Sequence, residues 1–185
     1  MLCGGALLFA VSAVLATRGL STPEWRVFDL FNDAPVPLAW VFVAAMPLGS
    51  GAASVVLPVL LVAFRRVALV LCAAFAGPVA WLLAQIGKSL QIRGRPVDVL
   101  DEFLPTGEAT GAGFPSGHTA VAVAFAVALW PFVPRWARPI LIALAVAVAV
   151  ARMHVGVHLP LDLAGGAGVG LVAGGAARLL IRRPD

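Results

Sequence analysis

The sequence predicts an all-α membrane protein that crosses the bilayer six times and carries one short amphipathic helix at the membrane surface. Hydrophobic residues make up 61% of the 185 residues, and the mean hydropathy is +0.99. Only 12% of the residues are charged, about half the share found in an ordinary soluble domain. Long apolar runs recur along the whole chain, so we interpret residues 1–185 as a single membrane domain.

Six apolar runs account for the predicted spans. They cover residues 2–17, 37–64, 67–87, 119–133, 139–157 and 161–181. Because a helix needs roughly 20 residues to cross the hydrocarbon, the first and fourth runs are short and the second is long. Pro47, Pro58 and the Gly-Ser-Gly step at residues 49–51 predict that the second run bends or unwinds. The first run lacks the basic n-region and cleavage site of a signal peptide, so we expect it to be a span.

Residues 21–33, between the first two runs, predict the surface helix. Ser21 and Glu24 have the spacing of a capping box, and Pro23 suits a first helical turn. At helical pitch one arc is apolar and the other is polar. The apolar arc contains Val27, Phe28, Leu30 and Phe31, and the polar arc contains Arg26, Asp29 and Asp33. This pattern is typical of an interfacial helix or lid on the outer leaflet, and a plain surface connector fits it equally well.

The last run is rich in small residues. Glycines stand at positions 165, 166, 168, 170, 174 and 175. A helix face built from glycine lets neighbouring backbones approach closely, so we expect tight packing of this span.

The charged residues sort to the two ends of the predicted spans. With six spans and both termini on one side, that side receives Arg65, Arg66, Arg135, Arg138, Arg178, Arg182 and Arg183, with Asp185 its only acid. The other side receives the remaining cations and acids. By the positive-inside rule, the first side is cytoplasmic in the plasma membrane and the second faces the periplasm or exterior. The basic residues form no continuous stripe, so no nucleic-acid partner is expected.

Polar residues at the outward side collect in three clusters, of which the first is "KSLQIRGRP" at the end of the third span. It contains Lys88, Arg93 and Arg95, and Lys88 is the only lysine in the chain. Cations at a helix end can be snorkelling anchors. Such anchors should concentrate on the cytoplasmic side, which weighs against that interpretation here.

The second cluster is "GFPSGHTA", directly before the fourth span. The free N–H groups at the start of this helix can bind an anion, and Ser116 can add a hydroxyl donor while Gly117 permits a tight backbone. His118 then lies within one turn of the anion. A simple helix cap at Ser116 and a structural role for His118 are the alternatives.

The third cluster is "ARMHVGVHLPLDLAGG", residues 151–166. Arg152 and His154 lie near the end of the fifth span, His158 lies in the turn, and Asp162 falls in the first turn of the sixth. A carboxylate four residues after His158 can accept its ring N–H and leave the other nitrogen basic, although a structural pair is also possible. His154 has no obvious partner. Val155 stands where a zinc motif with this histidine spacing needs glutamate, so no metal or other cofactor is expected.

The three clusters together contain what metal-free phosphoryl transfer requires. Lys88, Arg95, Arg152 and a helix amino terminus can surround a tetrahedral dianion, while two histidines supply attack and proton transfer.

Three ordered motifs within residues 88–162 resemble the signature of the type 2 phosphatidic acid phosphatase family. They are Lys88 separated by six residues from Arg95-Pro96, the run Pro115-Ser116-Gly117-His118, and Arg152 followed by His158 and Asp162. The resemblance implies that His158 is the nucleophile and forms a phosphohistidine, that Asp162 orients it, and that His118 protonates the leaving group and then activates water. It implies phosphate binding by Lys88, Arg95, Ser116, Gly117 and Arg152. Arg93 and His154 lie outside the signature, and Ala151 stands where many members have serine.

The function expected from this resemblance is hydrolysis of a phosphomonoester or pyrophosphate head group on a membrane lipid. Candidate substrates are phosphatidic acid, phosphatidylglycerophosphate and polyprenyl pyrophosphate. A lipid phosphotransferase with the same intermediate is one alternative. A non-enzymatic protein that binds or transports lipid phosphates is another, although it would need neither the acid nor the nucleophile.

Overall fold

The computed structural model describes residues 1–90, 92–101, 103–107 and 109–181, and these residues form helices and connections without a strand. Among the charged residues sorted above, Glu102, Glu108, Arg182, Arg183 and Asp185 lie outside this range. The described residues contain nine α-helices, in order α1 Leu2–Ala16, α2 Thr22–Asn32, α3 Val36–Ala45, α4 Ala53–Leu61, α5 Val67–Ser89, α6 Pro96–Val99, α7 Gly117–Leu129, α8 Arg138–His154 and α9 Pro160–Leu180. Short 3-10 helices cover Met46–Gly49, Val62–Phe64 and Arg135–Ala137.

Three of the described helices are long and apolar enough to cross a membrane. They are Val67–Ser89, Arg135–His154 and Pro160–Leu180. The bent pair Trp40–Gly49 and Ala53–Phe64 raises the number to four if it forms one span. Helices α1 and α7 are apolar but have only 15 and 13 residues. The all-α prediction is therefore confirmed for the described residues, whereas the count of six spans stays a prediction.

The predicted break in the second apolar run lies at residues 50–52. The two halves of the run meet there at an angle of 81°. Ser50 has an extended backbone, and its hydroxyl accepts the N–H of Ala53 in the first turn of α4. At Gly49 an added Cβ would collide with the carbonyl oxygen of His118, so the bend brings this segment against the start of α7. Pro58 lies inside α4 and does not interrupt it.

Helix α9 packs on two sides through its glycines, as its composition predicted. A Cβ at Gly170 would lie 2.6 Å from the carbonyl oxygen of Ala120 in α7. On another side, a Cβ at Gly168 would lie 2.7 Å from the carbonyl oxygen of Gly5 in α1. The glycines thus serve two helix contacts and not one common face. Buried alanines complete the core between α5, α7 and α9. Because these side chains are small, the three helices pack closely and their ends lie near one another.

We expect Gly170→Ala to destabilise the bundle. The new methyl group meets backbone atoms of α7 that cannot move aside alone, so the cost should be about 1–3 kcal/mol and the melting temperature in detergent should fall by several degrees. Gly4→Ala is the matched control, because Gly4 is exposed on α1 and nothing lies within 4 Å of an added Cβ. A melting temperature for Gly170→Ala equal to or above that of the wild type would contradict the close packing.

Helix α2 differs in two ways from its predicted form. The Ser21 hydroxyl accepts the N–H of Glu24 as in a capping box, but the Glu24 carboxylate turns to Arg93 instead. Phe28 is fully buried against neighbouring rings, whereas Val27 and Leu30 are 42% and 69% exposed. The side of the helix that packs on the protein runs from Glu24 to Phe28. The predicted apolar arc is therefore divided between the buried Phe28 and the exposed Val27 and Leu30.

Candidate active site

A cavity of about 800 Å³ lies at the end of the bundle where α5 and α8 stop and α7 and α9 begin. We call this the junction end. Six of the eight predicted site residues line the cavity: Lys88, Arg95, Gly117, His118, Arg152 and His158. The other lining residues are Met46, Trp81, Gln85, Ser89, Gly107, Thr110, Gly111 and Ala112. The remaining two predicted residues, Ser116 and Asp162, are fully buried directly behind the lining ones.

The helix ends are held together by backbone hydrogen bonds. The N–H of Ser116, at the start of α7, donates to the carbonyl oxygen of Asp162 in the first turn of α9 at 2.9 Å. The N–H groups of Val157 and His158 both donate to the carbonyl oxygen of Arg152, at 3.1 and 3.3 Å. These bonds join the second and third motifs, and the N–H of Gly113 donates to the carbonyl oxygen of Arg93 at 3.1 Å and so ties the segment before α7 to the first motif.

Lys88, Arg95 and Arg152 line the cavity, and the side-chain hydrogen bonds of the first two go to carbonyl groups. The Lys88 ammonium donates to Ala112 at 2.7 Å, and the Arg95 guanidinium donates to Gly111 at 3.0 Å and to Val157 at 3.3 Å. Burial lowers the pKa of Arg95, because its charged form loses contact with water. Within the described part of the chain, no salt bridge joins Lys88, Arg95 or Arg152 to a carboxylate. The cavity therefore carries positive charge that an anionic group can neutralise.

Arg152 is the least satisfied of these cations. It is only 8% exposed, and one terminal nitrogen lies 3.3 Å from the Met46 sulfur, which is a weak acceptor. Its Nε atom is buried with no hydrogen-bond partner among the described residues. Leaving a charged donor buried without an acceptor is costly. A phosphate in the cavity would supply acceptors to a guanidinium that the protein itself leaves unpaired.

The start of α7 gives the cavity backbone donors and one histidine. The Ser116 hydroxyl accepts from the Thr119 hydroxyl at 3.1 Å and caps the helix through the Thr119 N–H at 3.5 Å. Gly117 lines the cavity, and a Cβ there would lie 3.2 Å from the Trp81 ring. The His118 ring stands edge-on to Trp81, with 6.2 Å between ring centroids. The indole thus holds both the helix terminus and the imidazole beside the cavity.

His158 and Asp162 form a buried pair at the cavity wall. The Nδ1 atom of His158 lies 3.4 Å from Oδ2 of Asp162, and the same oxygen accepts the Leu159 N–H at 2.9 Å. A separation of 3.4 Å is long for a hydrogen bond. Burial lowers the pKa of His158 to about 4, although the hydrogen bond and charge of Asp162 act in the opposite direction. The imidazole is therefore neutral at pH 7, and its Nε2 atom is available to the cavity.

Arg93 and Glu24, to which the motifs assigned no role, are linked to this pair by hydrogen bonds. The Arg93 side chain donates from Nε to Oδ1 of Asp162 at 2.9 Å and from its terminal nitrogens to Glu24 at 2.6 and 3.0 Å. The sequence did offer one signal, since Arg93 stands among the cations of the first motif. Glu24 gave no comparable signal, because its buried partner lies 69 residues away in the chain.

His154 has a partner that the sequence did not indicate. Its Nδ1 lies 3.1 Å from the carbonyl oxygen of Phe31, at the end of α2, whereas His158 faces Asp162. The two histidines with i,i+4 spacing therefore serve different contacts. In the part of the chain that the structure describes, no group of three or more His, Cys, Asp or Glu side chains is placed to hold a metal ion.

Comparisons with known proteins agree on the family and the fold. The model of the PAP2 superfamily matches residues 67–184. The crystal structure of Aquifex aeolicus LpxE superposes with a TM-score of 0.74 at 29% identity, covering 83% of this chain and 93% of that one. That of the first transmembrane PAP2 type phosphatidylglycerolphosphate phosphatase from Bacillus subtilis gives 0.75 at 22% identity, covering 95% and 94%. The latter similarity concerns the fold alone. No curated protein matches the chain significantly.

Proposed function

The chain belongs to the PAP2 superfamily, and from this premise we propose that it is a membrane phosphatase that hydrolyses phosphomonoester or pyrophosphate head groups of lipids. One observation carries the proposal: a single cavity is lined by Lys88, Arg95 and Arg152 together with His118 and His158. Binding of a lipid phosphate needs the cations only. The two imidazoles add what covalent catalysis requires, a nucleophile and an acid.

The phosphate group would be held by charge and by backbone donors. Lys88, Arg95 and Arg152 would neutralise its oxygens, and the Gly117 end of α7 would donate N–H groups to it. Ser116 accepts hydrogen bonds from Thr119, which leaves its own hydroxyl hydrogen for a phosphate oxygen. Because these donors are fixed before substrate binds, they would stabilise charge in the transition state without reorganising.

In the first chemical step, Nε2 of His158 would attack phosphorus. A P–N bond forms while the P–O bond to the lipid breaks, and His118 gives its proton to the departing oxygen. Asp162 would accept the Nδ1–H of His158 and stabilise the positive charge that develops on the ring. In the second step, His118 would take a proton from water, and this water would cleave the P–N bond to release inorganic phosphate.

We propose that α1, the bent pair and α7 complete a set of six spans, with both termini cytoplasmic and the cavity facing the periplasm or exterior of the plasma membrane. The charges of the described residues support this orientation. The end opposite the junction end contains Arg65, Arg66, Arg135, Arg138 and Arg178, whereas the described acids lie within residues 24–33, within residues 98–101 and at position 162. By the positive-inside rule, the arginine-rich end is cytoplasmic.

The substrate would be a lipid with a small phosphate-bearing head group. The longest connections between described helices are those around α6, so the described residues offer no separate domain to recognise a large head group. We therefore propose phosphatidic acid, phosphatidylglycerophosphate or polyprenyl pyrophosphate. The structurally similar protein from Bacillus subtilis is a phosphatidylglycerolphosphate phosphatase, which supports testing that lipid among the substrates.

We expect purified protein to release phosphate from at least one of these lipids in detergent micelles, and to do so in EDTA. Three protein cations would supply the positive charge that metal-dependent phosphatases take from divalent ions. Vanadate should inhibit, because it mimics the five-coordinate transition state. The His158→Ala variant is the negative control for phosphate release in the same assay. Activity that requires an added divalent metal would contradict the proposed chemistry.

The same assay separates hydrolysis from the alternatives. With a labelled lipid pyrophosphate, hydrolysis places the label in inorganic phosphate. A phosphotransferase would place it on a second lipid, because the phosphohistidine would react with a lipid acceptor and not with water. Binding of every lipid phosphate without any product would identify a binding or transport protein.

A further inference from the structure

We propose that Arg93 and Glu24 are positioning residues that hold the His158–Asp162 pair in its reactive geometry. This inference rests on the proposed phosphatase function. The side chains of Arg93 and Glu24 are only 7% and 4% exposed, and together with Asp162 they form a continuous ionic contact inside the protein. Neither Arg93 nor Glu24 lines the cavity, so neither is placed to touch substrate there.

Arg93 fixes the orientation of the Asp162 carboxylate. Oδ2 of Asp162 faces His158 and also accepts the Leu159 N–H, while Oδ1 accepts from Nε of Arg93. With each oxygen engaged by a different donor, the carboxylate cannot rotate without breaking a hydrogen bond in a buried site. Loss of Arg93 would free Oδ1 and allow the carboxylate to turn away from His158.

Glu24 in turn fixes Arg93. Both terminal nitrogens of the guanidinium are bonded to the two oxygens of Glu24, a bidentate pairing that restricts its plane as well as its position. Burial by itself lowers the pKa of Arg93, but the hydrogen bonds to Glu24 and the charge of Asp162 outweigh burial and raise it. Oε1 of Glu24 also accepts the N–H of Leu161, the residue before Asp162. Helix α2 is thereby attached to the first turn of α9 beside the nucleophile.

This pairing separates Arg93 from the cations of the cavity. Arg93 is neutralised by two carboxylates, whereas Lys88, Arg95 and Arg152 have no salt bridge within the described residues. The Nε atom and both terminal nitrogens of this guanidinium already donate to protein carboxylates, so it has little capacity left for a phosphate. Its effect on turnover would therefore pass through Asp162.

The test compares kcat with phosphate affinity in purified variants, using the lipid phosphate on which the wild type is most active. We expect Arg93→Met to lower kcat about 10- to 100-fold, the range seen when residues that orient a reacting group are removed. The inhibition constant of inorganic phosphate should stay within about twofold, since the cavity cations are unchanged. Arg93→Lys should recover part of kcat, because one ammonium can reach Asp162 but cannot match the guanidinium fork.

Glu24 is tested by Glu24→Gln and by the double variant. Glutamine keeps the size of the side chain and an acceptor for Leu161, but it removes the charge that orients Arg93. If Glu24 acts through Arg93, the double variant should be no slower than Arg93→Met alone. The matched controls are Arg26→Met and Asp29→Asn, exposed positions on the same helix, which should retain wild-type kcat.

Each outcome decides the inference. Wild-type kcat in Arg93→Met overturns it, and so does a loss of kcat accompanied by an equal loss of phosphate affinity, which would indicate general distortion. Additive losses in the double variant remove Glu24 from the proposal. If Arg93→Met does not fold by its thermal melt, Arg93→Lys and Glu24→Gln are judged by the same criteria. A wild type inactive on every lipid phosphate refutes the phosphatase function itself, which is a separate result.

Discussion

Replacing His158 with alanine is expected to lower kcat by at least about 10³-fold, because the variant lacks the imidazole that we propose as the nucleophile. Burial keeps the pKa of His158 at about 4, so its Nε2 lone pair is available throughout the neutral pH range. On the acid side of the pH profile, activity should therefore be lost as protonation of the His158 ring removes this lone pair. The measurement is steady-state phosphate release from a lipid phosphate in micelles.

His154→Ala is the matched control for this prediction. His154 lies four residues away on the same segment, and its contact is the Phe31 carbonyl and not a residue of the cavity. It should retain most of the wild-type rate, and both variants should melt near the wild-type temperature. Quenching the working enzyme in alkaline detergent, in which the P–N bond of a phosphohistidine is stable, should trap phosphate on a small fraction of the wild type and on none of His158→Ala. Substantial phosphatase activity in His158→Ala would exclude a covalent intermediate at this residue.

The residues that meet at the cavity were predictable because each motif sits at the end of a helix. A run of apolar residues fixes where a helix starts or stops, and the helix ends fix which polar residues face the same side of the bilayer. Lys88 closes α5, Gly117 opens α7, and Arg152 lies in the last turn of α8. The i,i+4 spacing likewise placed Asp162 beside His158. Local spacing was sufficient for these contacts.

Contacts between residues far apart in the chain were not predictable in the same way. Glu24 has the spacing of a capping residue, and nothing within α2 indicates that its carboxylate is instead taken by Arg93. The hydropathy of α2 indicated an apolar arc but not that Leu30 would stay exposed while Glu24 is buried. Both outcomes depend on which neighbouring helix is present, which periodicity does not encode. The predicted count of six spans is likewise not settled by local pattern, because α1 and α7 are apolar but short.

The charges around the cavity explain how the proposed site would bind a dianion and still keep His158, the proposed nucleophile, neutral. Burial raises the cost of protonating His158, and the charges of Arg152 and Lys88 act in the same direction. Asp162 offsets part of this effect by accepting from the ring. The paired carboxylate therefore does not make His158 a cation at rest. In the proposed mechanism it would stabilise the charge that appears on the ring only when the P–N bond forms.

His118→Gln should separate the two steps of the reaction. On an alkyl phosphate such as a lipid head group, loss of the acid should lower kcat about 10²- to 10⁴-fold, because an alkoxide is a poor leaving group without a proton. An aryl phosphate such as p-nitrophenyl phosphate releases p-nitrophenolate, which leaves without a proton. Attack of His158 on this substrate should therefore proceed in the variant. The second step still lacks a base to activate water. The phosphohistidine should therefore accumulate.

The expected observation is a burst of one p-nitrophenolate per enzyme from His118→Gln, followed by slow turnover, with phosphate retained on the protein. His158→Ala should give no burst, since it cannot form the intermediate, and the wild type should turn over without accumulation. Equal losses on alkyl and aryl substrates, with no burst, would contradict the role of His118 as acid and base. Because His118 and His158 line the same cavity, a difference between their variants in this assay would reflect chemistry and not access to substrate.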